Sequence, residues 1–221
     1  KEVSAAEKAA AAYEAMLAGC DTPLGELEGV CLHGEGGPAP QGVVDTVAAC
    51  RRRQRASGVQ TVPLKLGEST YLLKGAVGKG RAGAVVFEAY PLMDEEDLES
   101  ADDEGNVFAL KVQTPAWAWE YVVQHQLQQR LSAEARPMFM HAHRMHLFSD
   151  YTMLLTDFGE HGSLAEALGK YSATGQQMDE VVAMFYTIEL LSMVEHMHAA
   201  GVVHLALAPN NLMLRNGGQE W

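Results

Sequence analysis

The sequence predicts an α+β fold on two observations. Residues 69–77, 84–90, 107–112, 144–148 and 152–155 are short runs rich in β-branched and aromatic residues, so five strands are expected. Residues 116–131 and 178–200 hold helix formers without a breaker, so two long helices are expected with them. In the longer helix Val181, Phe185, Ile188, Leu191 and Val194 recur in steps of three and four, with Leu190, Met193 and Met197 widening the apolar stripe. Such a stripe assigns the helix to a core, with Met184, Met193 and Met197 as fillers.

Composition narrows the class further. The 221 residues are 48% hydrophobic and 20% charged, ordinary globular usage that excludes disorder, collagen and coiled coil for the chain as a whole. A net charge of −13 repels a phosphate backbone, so no direct nucleic-acid partner is expected. Cys20, Cys31 and Cys50 fit neither zinc-ligand spacing nor a disulfide framework, which agrees with a reducing compartment. The most apolar stretch, 181–200, is interrupted by Glu189, Ser192, Glu195, His196 and His198, so no membrane partner is expected. The segment opening Lys1-Glu2-Val3-Ser4 has no compact apolar run of a secretory signal, and a first residue other than Met predicts a fragment or processed chain.

Ahead of the strands, residues 1–19 read as one helix closed by Gly19, exposed or docked. Residues 20–63 carry repeated Gly and Pro with a short helix near 43–53, and read as a wrapping extension. Arg51, Arg52, Arg53 and Arg55 are read as solvated helix-end charge rather than as an import signal. Residues 93–106, holding eight acids, read as a mobile hairpin loop and lack the order of a calcium loop. His141, His143 and His146 have metal-like spacing, but on a strand His146 faces away from the other two, so no metal is expected there. Trp117 and Trp119 are read as core anchors.

The chemistry is concentrated in two places. Gly78-Lys79-Gly80-Arg81-Ala82-Gly83-Ala84-Val85 lies between two strand-like runs, where glycines let backbone approach phosphates without a Cβ in the way. A dinucleotide-binding unit needs a helix directly after the glycines, and a P-loop needs a Lys-Ser/Thr pair; neither is present. The hairpin form, with Val two places after the last Gly, resembles the glycine-rich loop of protein kinases. Ala109-Leu110-Lys111-Val112 resembles the kinase strand whose Lys pairs the α- and β-phosphates, with Glu120 on the next helix placed to hold it. Residues 153–164 resemble the fifth strand, the hinge and the opening of the next helix, so their Asp157-Phe158-Gly159 is not the metal-binding triplet, which belongs after the catalytic loop.

The second place is Val202-Val203-His204-Leu205-Ala206-Leu207-Ala208-Pro209-Asn210-Asn211-Leu212, where kinases carry their catalytic loop. His204, Pro209 and Asn211 match. Leu205 replaces Arg, Ala206 the catalytic Asp and Ala208 the Lys, and alanine neither accepts a hydroxyl proton nor offsets phosphoryl charge. No catalytic residue is therefore intact, and the metal-binding triplet and activation loop are not in the 221 residues.

Within kinases, Lys111-Val112-Gln113-Thr114-Pro115-Ala116, Trp119-Glu120-Tyr121, Gln126-Leu127, Arg130-Leu131, Met138-Phe139-Met140, His146-Leu147-Phe148 and Leu64-Lys65-Leu66-Gly67 resemble the Bub family of mitotic spindle-checkpoint kinases over about 64–216. The resemblance implies a protein-kinase-like fold: a five-stranded antiparallel N-lobe with one helix and hinge (64–160), an extension packed on it (1–63) and the start of a helical C-lobe (161–221). It implies ATP with Mg2+ as cofactors. Gly78, Gly80, Gly83 and Val85 would cover the nucleotide, Ala109 would touch adenine, and Lys111, oriented by Glu120, would hold the phosphates. Asp157 and Gly159 would form the hinge, Met213 would lie beneath adenine and Asn211 would bind the metal. It also implies checkpoint and kinetochore partners and a nuclear, kinetochore location. Two functions stay open, a pseudokinase scaffold and an active Ser/Thr kinase with an unorthodox catalytic loop.

Overall fold

The structure, a computed structural model, describes residues 5–20, 22–52, 61–80, 83–92 and 107–215. The acidic segment 93–106, Arg53 and Arg55 lie outside them. Contacts divide the chain into two compact units, residues 1–125 with 141–157 and residues 126–140 with 158–221.

The first unit is built on a seven-stranded sheet ordered β1-β6-β7-β5-β4-β3-β2. All five expected runs are strands: β3 (Ser69–Lys79), β4 (Val85–Leu92), β5 (Phe108–Gln113), β6 (Ala142–Leu147) and β7 (Thr152–Asp157). Two further strands raise the number above the expected five. β2 (Val62–Leu66) pairs with β3 through the two-residue turn Gly67-Glu68, where Gly67 has φ 64°, the region that favours glycine. β1 (Val30–Leu32) runs parallel to β6, with Cys31 opposite His146. Every other pairing is antiparallel.

Alternation along the strands separates two faces. On one, Leu64, Leu66, Tyr71, Leu73, Val85, Phe87, Leu110, Val112, Met153 and Leu155 form a core with Val43, Val47 and Cys50 of α2 (Gln41–Arg52). α2 buries residues four and three apart and leaves Arg51 and Arg52 exposed at its C-terminal end, where cations suit the helix dipole. On the other, Met145 and Leu154 pack with Ala118, Tyr121 and Val122 at the start of α3 (Trp119–Arg130).

The N-terminal helix α1 (Ala5–Ala18) is docked: Tyr13 and Leu17 pack against that second core. The Tyr13 hydroxyl accepts the Ala118 N–H at 2.6 Å, and its ring stacks on Trp117 at 4.4 Å. A helix N-terminus leaves N–H groups without intrahelical partners, and Tyr13 satisfies one just ahead of α3. Trp117 and Trp119 are thus half-buried anchors, as expected. The extension belongs to the same unit as the sheet.

The second unit contains the end of α3, α4 (Leu164–Ala173) and α5 (Glu180–Ala199). α4 opens on a capping box: the Ser163 hydroxyl accepts the Glu166 N–H at 3.2 Å, and the Glu166 carboxylate accepts the Ser163 N–H at 2.7 Å. α5 leaves much of its apolar stripe uncovered among the described residues. Only Met197 is buried, with Leu127, Leu131 and Ala135, whereas Val181, Met184, Phe185, Ile188 and Leu191 are exposed. The periodicity marks the face correctly, but only the last turns of the helix find a packing partner among the described residues.

Candidate nucleotide site and catalytic loop

The glycine turn is built by backbone. Gly78 stands opposite Val86 in the β3–β4 ladder, and the Gly80 N–H donates to the Ala84 carbonyl at 2.8 Å. A Cβ on Gly80 would lie 2.9 Å from the Ala84 Cβ and 3.7 Å from Lys111 Cε, so a side chain there would fill the space beside the lysine. Gly83 turns the chain back at φ 81°.

Lys111 follows from strand register. Gly78, Val86, Lys111 and Leu154 are successive cross-strand partners, so they share one face of the sheet. Ala109 lies two residues along β5 on that face, opposite Glu88 and Thr156. The first turn of α3 brings Glu120 to this row, and its Oε2 accepts from Lys111 Nζ at 2.5 Å. Both side chains stay partly exposed, which leaves the ammonium able to meet a ligand.

The same register separates Val85 from this row. Val85 pairs with Val112 and is buried in the first core, on the opposite face from Lys111. The residue across from Lys111 is Val86, which sequence spacing passes over because a one-residue step along a strand changes face. Glu88 is also buried on Lys111's face, engaging the Tyr90 hydroxyl, while Lys74 Nζ donates to Tyr90 at 2.9 Å.

At the end of β7 the Asp157 carboxylate accepts from the His141 N–H at 2.9 Å and from His143 Nε2 at 2.7 Å. The Asp157 N–H donates to the His141 carbonyl at 3.1 Å, and its own carbonyl accepts from the Thr156 hydroxyl at 3.2 Å. Burial and the neighbouring His143 push His141 below the usual imidazole range. His146 is buried in the first core while His141 and His143 are exposed, with a bulge between Ala142 and Arg144 interrupting the alternation, and no metal-holding group of His, Cys, Asp and Glu occurs among the described residues.

In the second unit Gly159 and Met213 meet. The segment 212–214 bonds back to 162–164, with Leu164 N–H to Leu212 carbonyl and Leu214 N–H to Gly162 carbonyl, both at 2.8 Å. Ser163 and Met213 form an isolated bridge. A Cβ on Gly159 would come within 2.5 Å of Met213 Cε and 3.3 Å of its Cβ, so the glycine lets that side chain lie across it.

The catalytic-loop segment has the bonds of an ordered turn without the acid. Asn211 Nδ2 donates to the Ala206 carbonyl at 2.8 Å, and His204 Nδ1 accepts from the Ala206 N–H at 3.2 Å. Leu205 has φ 57° and is almost fully exposed, an unfavourable conformation for a side chain with a Cβ. Ala206 and Ala208 present only methyl groups.

No family model matches the chain. Over 152 residues it is 38% identical to the mitotic checkpoint serine/threonine-protein kinase BUB1 of Arabidopsis thaliana, covering 69% of this chain and 27% of that protein. Against the mouse protein of the same name the identity is 31% over 151 residues, covering 68% of this chain and 14% of the other. The chain belongs to the Bub kinase family. This Bub-family chain spans about a quarter of the plant protein's length and a smaller share of the mouse protein's. Its fold matches the crystal structure of the BubR1 kinase domain with a TM-score of 0.64 at 23% identity, covering 84% of this chain and 47% of that one. The protein-kinase-like α+β fold is therefore shown, with seven strands in the sheet rather than five.

Proposed function

We propose that this Bub-family chain is a nucleotide-binding pseudokinase segment that serves the mitotic spindle checkpoint as a scaffold at kinetochores in the nucleus, engaging checkpoint and kinetochore proteins. One observation carries the nucleotide half of this reading: Lys111, held by Glu120 at 2.5 Å, lies beside the Cβ-free space of Gly80. A glycine turn and a cation held by one carboxylate suit the phosphates of ATP, and Ala109 and Val86 offer a small apolar surface on the same face. When bound, ATP would bring the phosphate oxygens that Lys111 neutralises. Of a magnesium site, Asn211 supplies one amide: its nitrogen donates to the Ala206 carbonyl at 2.8 Å, and its oxygen would be the atom that meets the metal.

The scaffold half rests on the catalytic loop. With Ala206 and Ala208 in place of the acid and the base, no described side chain on that loop takes the substrate hydroxyl's proton or steadies the transferring phosphate. Loss of a positioned general base alone lowers a rate by roughly 10²–10⁴. A radiolabelled ATP assay on the 221-residue chain with a generic protein substrate tests this. No transfer is expected, either from the chain or from its Ala206→Asp variant. Transfer that depends on Lys111 would establish the active-kinase reading instead.

A further inference from the structure

We infer that residues 30–37 form a strap whose attachment to the sheet is proton-linked through a buried chain of His33, His146 and Tyr71. Three distant segments build it. His33 follows β1, His146 lies on β6 and Tyr71 on β3; β3 and β6 are not neighbours in the sheet. His33 Nε2 and His146 Nδ1 are 2.8 Å apart, and His146 Nε2 and the Tyr71 hydroxyl are also 2.8 Å apart. His146 is completely buried and Tyr71 almost so, while His33 forms the outer end.

The strap is held beside this chain by main-chain bonds. His33 N–H donates to the Leu147 carbonyl at 3.1 Å, and Ser149 N–H donates to the Gly37 carbonyl at 2.9 Å. The His33 ring stacks on Phe148 at 4.5 Å. Gly67 closes over it: a Cβ there would meet His33 Cε1 at 3.1 Å.

With both rings neutral, one proton occupies each of the two contacts, whichever way the chain is polarised. A further proton on His146 breaks neither hydrogen bond, but it places a positive charge in the core. Among the described residues, the groups facing it give that charge no carboxylate. They are His33 from the strap, Cys31 from β1, Tyr71 and Ser69 from β3, and Arg144 from β6, whose Nη1 donates to the Ser69 hydroxyl at 2.7 Å. Asp150, on the turn after Phe148, is engaged by the Ala39 N–H at 2.8 Å. Burial, then the fields of His33 and Arg144, hold His146 down to about 3, and burial also lowers His33.

Release of the strap opens the outer end of the chain to water, where an imidazole takes a proton near its ordinary value of about 6.5. Attachment is then favoured above that value and weakens as pH falls below it. For His146 alone, between pH 7.5 and 5.5 the detached population rises about tenfold, and His33 adds to it.

Hydrogen exchange on the whole chain, corrected for the intrinsic pH dependence of amide exchange, reads this directly. Protection of 30–37 is expected to fall about tenfold or more between pH 7.5 and 5.5, while β4 and β5 keep theirs. His33→Gln, at the outer end, should shrink the step, and His33→Gln with His146→Gln should abolish it. Should the double variant fail to fold, the comparison of wild type with His33→Gln decides. A step below about twofold, a step shared equally by β4 and β5, or one unchanged by His33→Gln overturns the inference.

Discussion

Tyr71→Phe removes one oxygen from the first core and leaves everything else in place. Tyr71 and His146 are both buried, and their 2.8 Å contact joins β3 to β6 without a neighbouring ladder between them. The phenyl ring still fills its site, so no cavity forms; what is lost is the hydroxyl's bond with His146 Nε2 and its contacts with Ser69 and Arg144. A buried polar group left unsatisfied costs about 1–3 kcal/mol, so the variant should lose about that much. Arg144→Ala is the control. It removes the exposed bond from Arg144 to Ser69 at 2.7 Å and the Arg144 contact with the Tyr71 hydroxyl but leaves the Tyr71–His146 bond, so its loss should cost under about 1 kcal/mol. Urea denaturation at pH 7.5 measures both, with an unchanged m-value showing that the denatured state is the same. A loss from Tyr71→Phe below about 0.5 kcal/mol, or one smaller than that from Arg144→Ala, would refute the reasoning.

Three further outcomes follow from the same contacts. His146 has its folded pKa lowered to about 3 against an ordinary value of 6.5, so its contribution is fully present above pH 6.5 and is lost as pH falls towards 3. The whole span is worth at most about 5 kcal/mol, and a pH series of urea midpoints should flatten in His146→Gln. Val85→Ala should cost about 2 kcal/mol of stability, since it strips two buried methyl groups, whereas Val86→Ala should weaken ATP binding more than it changes the urea midpoint. Ser163→Ala removes the cap of α4 and should cost about 1 kcal/mol, read as faster exchange of the Glu166 amide.

What the sequence reveals follows the range of the interactions involved. The alternation of β3, β4 and β5 is local, and so are the Gly80 turn and the helix stripe of α5; each is readable from spacing. β1 is three residues long and exists because Val30 meets Met145, more than a hundred positions away, so nothing in its own neighbourhood signals a strand. β2 is masked by Pro63 and by the Gly/Pro-rich segment before it, although Gly67-Glu68 is a hairpin signal. Val85 and Val86 are indistinguishable by composition, and only the β4–β5 register decides which one faces Lys111. The periodicity of α5 locates an apolar face without showing what covers it, and among the described residues only Met197 is covered. Glu120 is legible from the kinase resemblance, but its 2.5 Å contact depends on where α3 is docked. The His33–His146–Tyr71 chain draws on three segments and leaves no trace in any of them.

The proposed function requires that Lys111 and the glycine turn hold a nucleotide although the catalytic loop carries Ala206 in place of the acid. Thermal unfolding with and without ATP and Mg2+ tests it most directly, on the chain and on Lys111→Ala. At a ligand concentration of 100 times Kd, mass action adds about 2.7 kcal/mol, which for a chain of this size raises Tm by about 5–10 °C. That rise is expected in the unaltered chain, and its loss in Lys111→Ala. An unaltered chain whose Tm ignores ATP, or a rise that Lys111→Ala leaves intact, would contradict it.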